Sequence, residues 1–189
     1  MAVFELIATI TGILAVALQT QEKIWAWPIA ILSVAISVYV FWDNHLYSDM
    51  GLHFIYIILN IYGWFIWSSR CGTTEVVATQ KLTMRALVVC ASLAIVGSFV
   101  LGYFMNNFTN ADLAYIDAFT TSTSLVAQYL LAKKYLENWL FWIVVDIVAI
   151  PLYTFKELYF FAFLFLIYLL LSLCGYYSWR KEMTTIYRT

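Results

Sequence analysis

The sequence has 189 residues, of which 64% are hydrophobic and only 11% are charged, and its formal net charge is −1. Soluble domains carry about 25% charged residues, so this composition excludes a water-soluble globule of ordinary design. The balanced charge also excludes a strongly basic nucleic-acid-binding face, because such faces depend on clustered lysine and arginine side chains. The chain is therefore expected to lie in a membrane, with lipid as its main solvent.

The sequence indicates neither a metal nor a cofactor. Its three cysteines, Cys71, Cys90 and Cys174, are far apart and odd in number, which argues against a disulfide framework or a zinc site. The chain has no phosphate-binding loop, no serine-nucleophile motif and no zinc-protease motif. It is therefore predicted to be neither an enzyme nor an ATP-driven pump.

Seven stretches are long enough and apolar enough to be transmembrane helices, each of which needs about 20 residues. They cover residues 3–20, 24–42, 49–68, 86–106, 113–132, 137–155 and 158–179. The connections between them are short and polar. The sequence therefore predicts an all-α integral membrane protein with seven transmembrane helices.

The basic residues predict how the chain is oriented. With the N-terminus outside, nine of the ten lysine and arginine residues fall in inside segments, and only Lys156 falls outside. The reverse orientation would violate the rule that basic residues concentrate in cytoplasmic loops. The N-terminus is therefore expected outside the cell and the C-terminus in the cytoplasm.

The chain repeats itself at an offset of 112 residues. Residues 4–67 then align with residues 116–179 without a gap. The matched pairs that carry most weight are Trp27 and Trp139, Gly63 and Gly175, and Trp67 and Trp179. Apolar residues match by chance in such a sequence, whereas tryptophan and glycine pairs at one fixed offset indicate an internal duplication.

The duplication divides the chain into a first three-helix repeat (1–68), a loop and linker helix (69–112), a second three-helix repeat (113–180) and a cytoplasmic tail (181–189). A single linker helix gives both repeats the same direction in the membrane, which makes a 3+1+3 parallel repeat. Some transporters are built from parallel repeats, with the substrate site between the repeats. The alternative is a helical scaffold descended from a duplicated ancestor.

The sixth span carries the most informative polar residue, Asp146. A carboxylate near the middle of a span costs about 2.5–3.5 kcal/mol on insertion scales, so it suggests a site or a partner. Trp139, Trp142 and Asp146 are spaced i, i+3 and i+7 and share one helical face. Two indoles and a carboxylate can hold a flat aromatic cation, since a cation–π contact contributes about 0.5–2 kcal/mol. Alternatively, Trp139 anchors the helix at the membrane interface and Asp146 bonds to a neighbouring helix.

The fifth span carries a polar stripe of Asp117, Thr121, Ser124 and Gln128. Threonine and serine hydroxyls often bond to their own helix, so Gln128 is the stronger candidate for a substrate pathway. Asp117 lies near the outer end of the span, where it can simply be solvated.

The third span places His53, Asn60 and Trp64 at i, i+7 and i+11, on one predicted face. A single histidine is more often a structural group than a ligand, but here it shares its face with an amide. We therefore include His53, Asn60 and Trp64 among the candidate substrate-binding residues, with packing as the alternative.

Two stretches resemble the Pnu family of bacterial vitamin transporters, and the resemblance covers nearly the whole chain. They are LYSDMGLHFIYIILNIYGWFIW at 46–67 and KKYLENWLFWIVVDIVAIPLY at 133–153. The resemblance implies a 3+1+3 fold like that of a full-length SWEET transporter, usually as a homotrimer in the bacterial inner membrane. It also implies facilitated diffusion of a vitamin, which a cytoplasmic kinase then traps by phosphorylation.

The family's Trp-x-x-Trp site motif maps onto Trp139 and Trp142, and we add the neighbouring Asn138 to the candidate site. The chain has His53 and Asp146 where members of the nicotinamide-riboside type (PnuC) tend to have glutamine and asparagine. The aminopyrimidine of thiamine can donate to a carboxylate such as Asp146. Thiamine (the PnuT type) is therefore the expected substrate, with nicotinamide riboside as the alternative and riboflavin or a nucleoside next. A membrane scaffold subunit is the alternative from another class.

Overall fold

The computed structural model describes residues 2–43, 47–69, 78–108 and 113–186. Three residues that entered the sequence analysis, Arg70, Cys71 and Arg188, lie outside these ranges. Within them the chain forms seven helices and no strand beyond a single isolated bridge. The helices are α1 (Ala2–Thr20), α2 (Ala26–Asp43), α3 (Tyr47–Ser68), α4 (Met84–Phe108), α5 (Ala114–Ala132), α6 (Asn138–Phe155) and α7 (Tyr159–Ile186).

The prediction of an all-α membrane protein with seven helices is confirmed, and each predicted span corresponds to one helix. Six of the helices in the described ranges are long and apolar enough to cross a membrane on their own. The exception is α5, which carries the polar residues Asp117, Thr120, Thr121, Ser122, Thr123, Ser124 and Gln128. This helix packs against α3, α4 and α6, and its residues Thr123, Ser124 and Gln128 are buried by protein.

The helices other than α4 form a closed ring. Over the described residues, the packing order is α1, α2, α3, α5, α6, α7 and back to α1, while α4 packs against α5 alone. Small residues on α4 allow it to approach α5 closely, as small residues do in other pairs of membrane helices. A Cβ on Gly102 would lie 2.5 Å from the ring of Tyr115, and a Cβ on Gly97 would meet the hydroxyl of Ser122. The linker helix therefore lies outside the ring, on the second repeat.

The turns α1–α2 and α5–α6 have the same backbone conformation, at the offset of 112 residues. Glu22 has a φ of 57° and its equivalent Lys134 a φ of 62°. The amide of Lys23 donates to Leu18 O over 3.0 Å, and the equivalent amide of Tyr135 donates to Leu130 O over 3.0 Å. The duplication seen in the sequence thus recurs in the hydrogen bonds of these two turns.

Two tryptophans pack on glycines in equivalent ways. Trp139 lies so close to Gly175 that a Cβ there would be 2.5 Å from the indole, and Trp27 covers Gly63 even more closely. Each glycine is required because the indole occupies the space that any side chain would need. The glycine matches noted in the sequence therefore mark close approaches of α2 to α3 and of α6 to α7.

Trp27, Trp67, Trp139 and Trp179 form a buried group that we call the tryptophan cluster. Trp27 meets Trp67 edge-on at 5.3 Å, and Trp139 meets Trp179 edge-on at 5.4 Å, the geometry that aromatic pairs prefer. Trp67 and Trp179 lie 6.0 Å apart and join the two halves. The cluster is therefore a shared core between the two repeats.

Hydrogen bonds from the cluster show that equivalent helices run in the same direction. The indole N–H of Trp67 donates to Ala132 O, and that of Trp179 donates to Gln19 O. The C-terminal parts of α1, α3, α5 and α7 therefore meet at one end of the bundle, together with the turns α1–α2 and α5–α6. We call this the tryptophan end. Lys156, in the α6–α7 turn, lies at the opposite end.

Helix α7 is longer than the sequence analysis predicted. It continues to Ile186, through most of the segment 181–189 that was assigned to a tail. Met183 is buried and belongs to the hydrophobic group around the tryptophan cluster. The helix persists past the apolar stretch because one of its faces still packs against protein.

Candidate substrate site

Asp146 is the most enclosed carboxyl group among the described residues, with 1% of its surface exposed. The Ser172 hydroxyl of α7 donates to Asp146 Oδ2 over 3.1 Å and is the one hydrogen-bond donor to this carboxylate in the described ranges. A carboxylate can accept several hydrogen bonds. Asp146 therefore keeps acceptor capacity that a bound molecule can use.

An amide pair joins the two repeats. Gln128 Nε2 of α5 donates to Asn60 Oδ1 of α3 over 3.1 Å, and Asn60 Nδ2 donates to the carbonyl of Tyr56 over 2.8 Å. Both amide side chains are buried. The structure therefore brings together Asn60 and Gln128, which the sequence placed on two separate polar stripes.

A hydroxyl pair lies beside the amides on the same two helices. Tyr56 Oη and Ser124 Oγ are 2.5 Å apart, and Ser124 Oγ also bonds to the carbonyl of Thr121 over 2.9 Å. Thr121 therefore contributes to this hydroxyl pair through its backbone carbonyl and not through its side chain. In the other arrangement of the repeats, Tyr168 approaches Gly12, which is the equivalent of Ser124. A Cβ on Gly12 would lie 2.8 Å from Tyr168 Oη. Both tyrosine hydroxyls thus approach the first helix of the opposite repeat.

The polar groups of the two repeats are not equivalent, although the helices are. At the offset of 112 residues, Asp146 corresponds to Val34 and Gln128 corresponds to Val16. The carboxylate is therefore contributed by the second repeat alone. Such a frame can bind an asymmetric ligand, with charge complementarity on one side and amide hydrogen bonds on the other.

Trp139 and Asn138 belong to the wall of the tryptophan end. Both are almost fully buried, and Asn138 Nδ2 donates to the carbonyl of Tyr135 over 2.6 Å. Trp139 Nε1 and Asn138 Oδ1 have no hydrogen-bond partner among the described residues. Trp142 is only partly buried and packs against the tryptophan cluster. Of the two indoles of the Trp-x-x-Trp motif, Trp142 is the one with accessible surface.

The three residues that the sequence placed on one face of the third span, His53, Asn60 and Trp64, do not all lie together in the structure. The His53 ring packs edge-on against Phe41 at 4.7 Å and against Tyr56 at 5.8 Å, so it borders the hydroxyl pair. Trp64 does not lie with Asn60, since 42% of its surface is exposed. At that level of α3 the inward positions are taken by Gly63 and Trp67, and the indole of Trp64 is turned outward.

Two ion pairs lie at opposite ends of the bundle. Asp117 is not simply solvated, because it pairs with Lys156 over 2.6 Å, within the second repeat. At the tryptophan end Glu22 pairs with Lys134, across the two repeats. In the same region, a hydrogen bond to the Tyr62 side chain is the main cause that raises the pKa of Lys133. Lys133 therefore carries a positive charge at neutral pH.

Sequence reasoning did not select Ser172, Tyr56, Tyr168 or the Glu22–Lys134 pair as site residues. The repeat offered a signal for each of them, because Ser172 is the equivalent of Asn60 and Tyr56 is the equivalent of Tyr168. Glu22 and Lys134 are equivalent positions with opposite charge. Polar residues at equivalent positions of the two repeats were therefore the signal that could have found these residues.

Comparison with known sequences gives a family match over most of the chain. Residues 2–181 match the family model described as nicotinamide mononucleotide transporter. The chain is 30% identical to the nicotinamide riboside transporter PnuC of Neisseria mucosa over 186 residues, which is 93% of this chain and 71% of that protein. It is 24% identical to PnuC of Escherichia coli K12 over 204 residues, covering 93% of this chain and 84% of that protein.

Another relative and a solved structure extend the comparison. The chain is 26% identical to the riboflavin/roseoflavin transporter RibM of Streptomyces davaonensis over 184 residues, covering 93% of this chain and 83% of that protein. The crystal structure of the vitamin B3 transporter PnuC superposes with a TM-score of 0.77 at 28% identity. The match covers 96% of this chain and 82% of that one.

Proposed function

Because the chain belongs to the nicotinamide mononucleotide transporter family, a family of membrane transporters and not of enzymes, we propose that it carries nicotinamide riboside across the bacterial inner membrane. Two of the relatives described above are named nicotinamide riboside transporters. Thiamine, the substrate expected from the sequence, has no counterpart among the relatives described above. Nicotinamide riboside therefore replaces thiamine as the proposed substrate.

The choice of vitamin rests on the relatives, and the structural observation that supports a cationic substrate is the buried Asp146 carboxylate, which has one hydrogen-bond donor among the described residues and lies within the helix bundle. Nicotinamide riboside is a flat cation with a carboxamide and ribose hydroxyls. The carboxylate complements the positive charge or accepts from the hydroxyls, and a hydrogen bond to a charged group contributes about 1.5–3 kcal/mol. The side-chain amides of Asn60 and Gln128 can both donate to and accept from a carboxamide.

The ring face of the substrate needs an aromatic partner. Trp142 is the proposed platform, because it is one helical turn from Asp146 and keeps accessible surface. A cation–π contact of this kind contributes about 0.5–2 kcal/mol. Trp139 supports the platform from within the tryptophan cluster and does not itself touch the substrate.

Transport is proposed to be facilitated diffusion, since the sequence contains no nucleotide-binding motif. The protein is oriented with its N-terminus outside and acts as a homotrimer, and a cytoplasmic kinase traps the vitamin as its phosphate. Riboflavin is the second candidate substrate, because of the similarity to RibM. Riboflavin is uncharged, so it would use the Asp146 carboxylate as a hydrogen-bond acceptor only.

The test is a substrate screen on the purified protein. Nicotinamide riboside, nicotinamide mononucleotide, thiamine and riboflavin are titrated while tryptophan fluorescence is recorded, and the binders are then assayed for uptake into liposomes. Saturable quenching and uptake with nicotinamide riboside support the proposal. Selective binding of thiamine or riboflavin would replace the substrate, and no response to any of them would favour the scaffold alternative.

A further inference from the structure

We propose that Glu22 and Lys134 form a gate at the tryptophan end, which holds the two repeats together in this conformation and separates during each transport cycle. The inference rests on the proposed transport function, because a gate matters only if a substrate passes between the repeats. The two residues occupy equivalent positions in the two turns, and their side chains form an ion pair. The pair therefore joins the repeats where equivalent backbone segments face each other.

The ion pair is buried. The side chain of Glu22 is 9% exposed and that of Lys134 is 5% exposed. Removing one partner of a buried ion pair is strongly destabilising, because the charge of the other partner is then buried without an opposite charge beside it. If the two turns move apart, however, water reaches both charges and hydrates them. A buried pair of this kind therefore stabilises the closed end and still permits opening.

Further contacts converge on the same pair. Thr79 Oγ1 donates to Glu22 Oε1 over 3.0 Å, and the carboxyl group of Glu182 lies beside Glu22. The Lys134 Nζ lies 5.3 Å from the centre of the Trp67 ring. Lys134, which belongs to the second repeat, thus contacts the first repeat twice, through Glu22 and through Trp67 of the tryptophan cluster.

The connector between the repeats is attached to one side of the gate. Gln80 N donates to Lys134 O over 3.0 Å, and Leu136 N donates to Gln80 O over 2.8 Å. Leu82 N donates to Glu137 Oε2 over 2.9 Å. The connector segment 78–83 is therefore held by the α5–α6 turn of the second repeat. Its hydrogen bond from Thr79 to Glu22 crosses to the first repeat at the gate itself.

The other ion pair supplies a matched comparison. Asp117 and Lys156 are also a lysine–carboxylate pair, but both belong to the second repeat. When parallel repeats move against each other to expose a site between them, the distance between Asp117 and Lys156 is conserved, whereas Glu22 and Lys134 must separate. The two pairs therefore have opposite expected responses to cross-linking.

The first experiment cross-links each pair in a background whose three native cysteines are replaced by serine. Glu22→Cys with Lys134→Cys is expected to lose uptake of nicotinamide riboside into liposomes after treatment with a reducible bifunctional thiol cross-linker that spans the length of the ion pair, and to regain it after reduction. Asp117→Cys with Lys156→Cys is expected to keep uptake when cross-linked in the same way. Uptake that persists with the Glu22–Lys134 cross-link fully formed would overturn the gate. If the wild-type protein takes up none of the screened vitamins, the proposed function fails instead.

The second experiment needs no substrate and separates the two proposals. Spin labels at Gln21→Cys and Lys133→Cys, which are equivalent positions beside the gate, report the distance between the turns. The charge reversal Glu22→Lys with Lys134→Glu should keep the short distance, whereas Lys134→Met should increase the population at long distance. Thr79→Val, which removes one hydrogen bond to Glu22, should give a smaller shift in the same direction. Identical distance distributions in all four proteins would exclude a gate at this pair, whatever the substrate is.

Discussion

Trp139 packs so closely against Gly175 that a Cβ on this glycine would lie 2.5 Å from the indole ring. Gly175→Ala is therefore expected to destabilise the protein by about 1–3 kcal/mol, the usual cost of overpacking a well-filled interior. The equivalent Gly63→Ala should have a similar effect through Trp27. Thermal unfolding of the purified protein in detergent measures both.

A third glycine serves as the control for this prediction. A Cβ on Gly51 would meet nothing within 4 Å, so Gly51→Ala should leave the unfolding temperature unchanged or slightly higher. Equal stability of the Gly175 and Gly51 variants would show that the close packing of the indole on the glycine is not needed.

Asp146→Asn is expected to weaken nicotinamide riboside binding by about 1.5–3 kcal/mol, the contribution of a hydrogen bond to a charged group. This corresponds to a loss of affinity of roughly 10- to 150-fold. Folding should survive, because asparagine can still accept a hydrogen bond from Ser172. The affinity is measured by titration of tryptophan fluorescence, with the exposed Glu5→Gln as the matched carboxylate control.

Two results would contradict the assignment of Asp146. Wild-type affinity in Asp146→Asn would mean that the charge does not meet the substrate. Misfolding of Asp146→Asn, with normal folding of Glu5→Gln, would mean that the carboxylate mainly joins α6 to α7 through Ser172.

The Asn60–Gln128 hydrogen bond is expected to act as one unit in substrate binding. Asn60→Ala and Gln128→Ala should each weaken affinity, and the double variant should lose less than the sum of the two. The coupling energy in the free energy of unfolding is expected to be about 0.6 kcal/mol, the average for hydrogen bonds between membrane helices. Strict additivity in this double-mutant cycle would show that the two amides act independently.

Labelling in intact cells tests the orientation predicted from the basic residues. A single cysteine at the exposed Glu157, next to Lys156, should react with a membrane-impermeant maleimide added outside. A single cysteine at the exposed Ser69, at the tryptophan end, should react only after the membrane is permeabilised. The opposite pattern would reverse the assigned topology.

The sequence was sufficient to predict the seven helices and to identify which residues of the two repeats are equivalent. Long apolar stretches have few alternatives to a helix in lipid, because every backbone amide and carbonyl must be bonded internally. The matched tryptophans and glycines also had a direct structural meaning, since Trp27 and Trp139 each cover a glycine of the next helix in the chain.

The candidate site was harder to predict, because residue spacing defines a face of a helix and not what that face contacts. His53, Asn60 and Trp64 share a face by spacing, yet Trp64 is turned outward where Gly63 and Trp67 take the inward positions. Ser172 was not selected, because a single serine in an apolar span is a weak signal unless it is compared with Asn60, its equivalent in the first repeat. The position of Trp139 within a four-tryptophan core also depends on contacts between repeats.

The polar composition of α5 also constrains how the chain enters the membrane during synthesis. With seven serine, threonine, glutamine or aspartate side chains, α5 is less able than its neighbours to partition into lipid alone. It follows α4 in the chain and precedes α6, and it packs against both. Its insertion is therefore coupled to theirs, and a nascent chain that stops after Ala132 should leave α5 poorly integrated until α6 emerges to cover it.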